Sequence, residues 1–169
     1  MDGFLDEMER CVPALRRYAR ALVRDADAAD DLVQDCLERA LSRRHLWRPT
    51  GSIRAWLFTI LHNVHANQAR RRAGRGTEVA VEAAEGTLAE AADEDGRLAA
   101  MDVIRALDSL DDGHRQVILL IALEGLAYRE VADVLGIPIG TVMSRLSRGR
   151  DRLRALTGPD PSPSLRRVK

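Results

Sequence analysis

Aromatic residues are scarce in this chain: two Phe, two Trp and two Tyr make up 4% of its 169 residues. Runs of β-branched residues are sparse as well, which argues against extensive sheet. No apolar stretch approaches the length of a membrane span. The acidic start MDGFLDEMER is unlike the basic-then-apolar opening of a secretion signal, so the expected location is the cytoplasm, with no membrane insertion. Cys11 and Cys36 are too few for a disulfide framework. Both lie in helical patterns beside apolar residues and read as buried free thiols, with a redox switch the minor alternative. His62 and His65, three apart on a helix, could present two ligands to a metal, but no Cys or Glu–His motif completes a site. A nucleophile elbow, a phosphate loop and a pair of catalytic carboxylates are missing too, so nothing supports an enzyme, and neither metal nor cofactor is expected.

Apolar residues, by contrast, are plentiful at 46%, enough for packed cores in one ordinary domain or two small ones. Their spacing is helical throughout. Val12–Val23 carries Leu15, Tyr18, Ala19 and Leu22, with Pro13 read as the helix start and a short helical turn expected at 4–10. Asp25 is a candidate N-cap for Ala28–Arg43, with Leu32, Val33, Cys36, Leu37, Ala40 and Leu41 as its stripe. After a break at 45–51, Ser52 can cap a third helix to about Arg72 through Ile53, Trp56, Leu57, Ile60, Leu61 and Val64. Residues 77–96 lack an apolar face and read as a flexible acidic linker. Periodicity resumes at Leu98–Leu107 and Asp112–Leu123. Net charge is zero, yet residues 1–75 hold 14 basic and 10 acidic side chains, 76–100 one and seven, and 101–169 eleven and nine. Two basic ends flank an acidic middle, which suits two nucleic-acid-facing modules. The expected fold is all-α: a bundle over 1–75, a linker over 76–97, a second bundle over 98–157 and a disordered tail at 158–169.

The densest pattern lies at 125–154, GLAYREVADVLGIPIGTVMSRLSRGRDRLR. Val131, Val134 and Leu135 form the inner stripe of one short helix, which Gly136 can end in left-handed geometry. Pro138 fits only at or before the first turn of the next, near Ile139. In that second helix Val142, Leu146 and Leu153 mark an inner face, while Arg145, Arg148, Arg150, Arg152 and Arg154 set five positive charges against Asp151. This is the pattern of a helix-turn-helix, whose second helix meets base edges. Thr141, Met143, Ser144, Ser147 and Arg148 should face the groove, with the other arginines near phosphates. The competing reading is an amphipathic surface helix with solvated arginines.

With both bundles laid out, the chain from about 10 to 156 resembles a bacterial sigma factor of the extracytoplasmic-function (ECF) type. The segments that carry the likeness are DADAADDLVQDCLERAL at 25–41, IRAWLFTILHNVHANQARRR at 53–72, and LDDGHRQVILLIALEGLAYREVADVLGIPIGTVMSRLSRGRDRLRAL at 110–156. The resemblance implies a factor that binds core RNA polymerase, directs it to two promoter elements, aids strand opening and answers to an anti-sigma factor. It implies polymerase docking through Asp31, Leu32, Gln34 and Asp35. Trp47, Arg48 and Thr50 fall in the loop that would capture an unstacked base of the −10 element, and Asn63 would contact another. An aromatic beside polar groups suits that task, although Trp47 could equally be a plug between helices. Arg70, Arg71, Arg72 and Arg75 would hold phosphate. For the −35 element the resemblance points to Thr141, Ser144, Ser147, Arg148 and Arg150, with Arg148 suited to bidentate contact with guanine. Met143 stands where many relatives carry Lys or Arg, so a contact to a thymine methyl would replace a charged one there, and Arg152 is expected at the backbone. Three other readings remain: a sigma-like decoy that sequesters an anti-sigma factor, a repressor using residues 98–156 alone, and, behind both, a nucleic-acid-processing enzyme using His62 and His65.

Overall fold

The computed structural model describes residues 3–48, 51–74 and 94–157, with the backbone alone for 94–100. Most of the expected linker, Thr50, Arg75 and the tail 158–169 lie outside the described residues. Among the described residues seven α-helices follow in order: α1 Gly3–Val23, α2 Ala26–Ser42, α3 Ile53–Gly74, α4 Glu94–Asp108, α5 Asp112–Ile118, α6 Tyr128–Leu135 and α7 Ile139–Thr157. A 3₁₀ turn occupies Arg44–Leu46, and α5 widens into π-helical turns over Leu119–Leu123.

Local chemistry explains most boundaries. The Ala28 N–H donates to the Asp25 carboxylate at 2.6 Å, and the Ala55 N–H to the Ser52 hydroxyl at 3.2 Å, so both expected caps are made. At α1 the expectation fails. Pro13 sits inside one continuous helix, not at its start. Phe4, Met8 and Cys11 extend the buried stripe of Leu15, Tyr18 and Leu22 backward at helical spacing, so the burial of two further turns outweighs one missing hydrogen bond. Pro13 itself is exposed, which leaves the carbonyl it cannot pair open to water. α4 likewise begins four residues before the expected Leu98, and Leu41 is 47% exposed instead of lying on the inner stripe of α2.

α1, α2 and α3 pack around Leu15, Tyr18, Leu32, Leu57 and Leu61, all fully buried, with Phe58 set edge-on to Tyr18 at 5.3 Å. α5, α6 and α7 surround Val117, Leu120, Val131 and Val142. The two groups of helices touch: α3 packs on α6, and α1 on the π-helical turns, so that their buried apolar residues form one continuous cluster.

Charged groups cross the same junction. The Glu124 side chain is wholly removed from solvent. Its carboxylate accepts from Arg17 Nε at 2.9 Å and Nη2 at 2.7 Å, and from Arg54 Nη2 at 2.8 Å, while the Glu124 carbonyl accepts from Arg54 Nη2 at 2.7 Å. Arg24 pairs with Asp108 at 2.8 Å and donates to the Asp108 carbonyl at 2.9 Å. Arg24 also closes α1 with φ of 60°, a left-handed conformation in which a side chain costs on the order of 1 kcal/mol over glycine.

Candidate nucleic-acid interface

The reading helix α7 owes its position to the turn before it. Gly136 adopts φ 63° and ψ 35° after α6, and its N–H reaches back to the last turn, so α6 stops there. The Pro138 carbonyl then accepts from the N–H groups of Thr141 and Val142, starting α7. At the head of α6 the Glu130 carboxylate accepts the Ala127 N–H at 2.9 Å. Val142 and Leu146 anchor α7 inward, and Gly149 lets it approach α5 closely.

That anchoring leaves the opposite face of α7 open. Met143, Ser144, Ser147, Arg148 and Arg152 are exposed, while Thr141 and Arg150 are half-buried. Arg148 makes no hydrogen bond or ion pair among the described residues, so its guanidinium is free to meet a base edge or a phosphate. Arg152 is engaged by Asp111 at 3.2 Å. This pair is exposed, weak and exchangeable for a phosphate. Arg145 turns aside: its guanidinium lies over Gly113, 3.1 Å from where a β-carbon would sit. Tyr128, Met143, Leu146 and Arg150 line a shallow cleft of about 260 Å³ beside the exposed face.

At the other end of the molecule, Trp47 follows the 3₁₀ turn, half-buried, with its ring 5.3 Å from Phe4. Trp56 meets Phe4 edge-on at 6.1 Å, and the Arg44 guanidinium covers the same ring at 5.4 Å. The Trp47 indole N–H is buried without a partner. Trp47 therefore combines packing against Phe4 with a buried, unsatisfied donor on a half-buried side chain, and both of its readings stand. Arg48, Asn63, Arg70, Arg71 and Arg72 are exposed.

The expected docking face on α2 divides. Asp31 and Gln34 are exposed, and Asp35 is half-buried, accepting from Gln68 at 3.1 Å. Leu32 does not belong with them. It is fully buried in the N-terminal core, where the stripe shared with Ala29 and Cys36 holds it, and it offers a partner no surface.

The two thiols are buried, and burial pushes both up, Cys36 to about 12, where its S–H faces the Leu57 carbonyl at 3.4 Å. A thiolate is thus disfavoured at both positions. Among the described residues no group of three or more His, Cys, Asp or Glu side chains is placed to hold a metal ion. No helix among them is long and apolar enough to cross a membrane.

Sequence reasoning passed over Glu124 and its arginines. The signal was present, since Glu124 is a single charge inside the apolar run VILLIALEGL at 117–126.

Comparison with known proteins gives the arrangement its family. An ECF RNA polymerase sigma factor of Rhodopseudomonas palustris, EcfG, is 36% identical over 155 residues, covering 92% of this chain and 85% of its own. The chain belongs to the ECF sigma factors. The model for the Sigma2 domain of PhyR matches residues 8–62, and that for Sigma-70 region 4 matches residues 100–153. SigE of Mycolicibacterium smegmatis is also 36% identical over 82% of this ECF sigma factor, which spans 55% of that longer relative. Among solved structures, the sigma factor RpoE of Bartonella quintana, crystallised with the anti-sigma factor NepR, is 34% identical. It superposes with a TM-score of 0.83 over 95% of this chain and all of its own. CnrH in complex with the cytosolic domain of CnrY reaches 0.67 at 30% identity, over 90% and 86%.

Proposed function

We propose that this ECF sigma factor binds core RNA polymerase and directs initiation at promoters with −35 and −10 elements, aiding strand opening, without catalysis of its own and in the cytoplasm. The observation that carries the reading is the exposed face of α7. It offers Met143, Ser144, Ser147 and the unengaged Arg148 where a helix-turn-helix places base contacts. Arg150 and Arg152 flank these residues toward the backbone. Region 1–75 takes the polymerase and the −10 element. Asp31, Gln34 and Asp35 are its docking face, and Trp47, Arg48, Thr50 and Asn63 are its strand-separating group. Arg70, Arg71, Arg72 and Arg75 hold phosphate there. Region 98–157 takes the −35 element, and an anti-sigma factor of the kind bound by the Bartonella relative is the inhibitory partner. The reading requires no metal or cofactor.

A second reading has one observation in its favour. The model matching residues 8–62 is drawn from PhyR, so a decoy that occupies an anti-sigma factor is worth separating from a true initiation factor. Transcription reconstituted with core polymerase does so. An initiation factor yields promoter-specific transcripts that need both proteins, a decoy yields none and only relieves inhibition, and a repressor binds DNA alone. In the same assay Asp31→Arg with Asp35→Arg should weaken polymerase binding at unchanged helical content. Full retention of affinity would remove the α2 assignment.

A further inference from the structure

Among the described residues, the ion pairs between the two groups of helices run from arginines of the N-terminal bundle to acids of the C-terminal one: Arg17 and Arg54 to Glu124, and Arg24 to Asp108. Glu124 is the most committed of these residues, with no solvent access and two guanidinium partners. Tyr18 stands nearby with a fully buried hydroxyl that has no partner, and burial together with the Glu124 charge pushes its ionisation up. We infer that Glu124 is the latch of a self-inhibited closed state, in which the free chain clasps its two DNA-reading bundles together until polymerase parts them.

The inference rests on the proposed two-element reading, and a length argument ties them. The −35 and −10 elements lie about 25 base pairs apart, or roughly 85 Å at 3.4 Å per base pair. A compact chain of 169 residues has a radius of gyration of about 15 Å, so its closed form cannot reach both. The 19 residues from 75 to 93 supply roughly 65 Å of chain at full extension, enough for the bundles to separate.

The chemistry of the junction suits a reversible clasp. A buried ion cluster selects one geometry while favouring it only modestly, because opening returns its charges to water. Removing one side of it is another matter. Without Arg17 and Arg54, Glu124 would be an unpaired buried carboxylate, and parting the bundles is the cheapest way to hydrate it. Arg24 points the same way, since an arginine is kept in left-handed geometry where glycine would be easier, with its side chain spent on Asp108. The Bartonella relative, bound to its anti-sigma factor, superposes at 0.83 over 95% of this chain, a score that a different placement of one bundle would not allow. The closed arrangement is thus one that a partner can hold.

Small-angle scattering of the full-length protein tests the latch. Glu124→Gln is nearly isosteric, and Arg17→Gln with Arg54→Gln alters only side chains that are 41% exposed, so the second variant guards against misfolding at the buried site. Wild type should scatter as a compact body. At wild-type helicity, both variants should increase the radius of gyration by about 5 Å over the roughly 15 Å of a compact chain. If the free chain is open about one-tenth of the time, Glu124→Gln should also bind a fragment carrying both elements about tenfold more tightly without polymerase. Asp133→Asn, the same charge change at an exposed position, should leave both readings near wild type. An unchanged radius in both variants overturns the latch. A larger radius with no gain in binding beyond that of Asp133→Asn overturns self-inhibition. Failure of the wild type to direct any transcription with core polymerase would instead sink the sigma reading and leave the scattering result untouched.

Discussion

Gly149 lies so close to Ile118 that a β-carbon at position 149 would fall 2.7 Å from the Ile118 Cδ1 atom and 3.4 Å from His114 Cβ. The crossing of α7 over α5 is therefore set by the absence of a side chain. Gly149→Ala gains about 1 kcal/mol of helix propensity and loses about 1–3 kcal/mol to overpacking, a net loss of about 1 kcal/mol. Gly149→Val should lose more and displace the reading face. Urea denaturation measures both, and a stabilised alanine variant would mean that Ile118 moves aside freely.

Arg148 and Arg152 should fail differently in promoter recognition. Arg148 is unengaged, and a good bidentate base contact is worth about 1–3 kcal/mol of discrimination. Arg148→Ala should flatten the preference among upstream-element variants. Arg152 shares Asp111 in the free protein, and as a phosphate contact it favours no sequence, so Arg152→Ala should weaken all promoters alike and reduce the salt dependence. The check is transcription from a panel of upstream variants. An unchanged ranking with Arg148→Ala would move the reading face toward Met143 and Ser144.

Trp47 is expected to show both of its roles at once. Losing its contact with Phe4 should cost about 1–2 kcal/mol, tolerable for the N-terminal bundle because Trp47 is only half-buried. Trp47→Ala should then fold, form closed complexes and lose permanganate-reactive thymines, with Trp47→Phe recovering part of the opening. Unfolding of the N-terminal bundle by Trp47→Ala would leave it a packing residue alone.

Acid should loosen the fold near neutrality through α3. Burial pulls His62 and His65 below the ordinary imidazole value. Each other's proximity also lowers His62, whereas Asp112 opposes the shift at His65 and Arg72 adds to it. Folding therefore keeps both rings neutral where the unfolded chain takes up protons. Stability from this source is complete above about pH 6.5 and declines as pH falls below it. The melting temperature of the wild type should drop between pH 7 and 5.5 more steeply than that of His62→Asn with His65→Asn. Parallel slopes would mean the two rings are hydrated in the native state.

How far the sequence carried depended on whether one helix or several decided a residue's place. The α6–α7 turn was readable because Gly136 and Pro138 each have few conformations open to them. Asp25 and Ser52 were readable because capping is local. Pro13 misled for the same reason: its local preference is to start a helix, and only the buried contacts of Phe4, Met8 and Cys11 override it. Phe58 and Arg54 were missed because α3 packs on two sides, against α1 and α2 and against α6, so a single apolar stripe does not describe it. Leu32 was misplaced as a docking residue by its sequence neighbours Asp31 and Gln34, which share its segment but not its face.

The wide turn at Leu119–Leu123 stores one spare residue of chain. The Glu124 N–H reaches the Leu119 carbonyl, five residues back, and the Leu126 N–H reaches Leu120. In a regular helix, adding or removing a residue rotates everything beyond it by about 100°. Here the slack absorbs such a change, so removal of Ile121 or Ala122 can restore ordinary helix without swinging Glu124 away from its arginines or α6 away from its seat. The segment is a length buffer, and the distance along the chain from Val117 to Glu124 is freer to drift than its buried surroundings suggest.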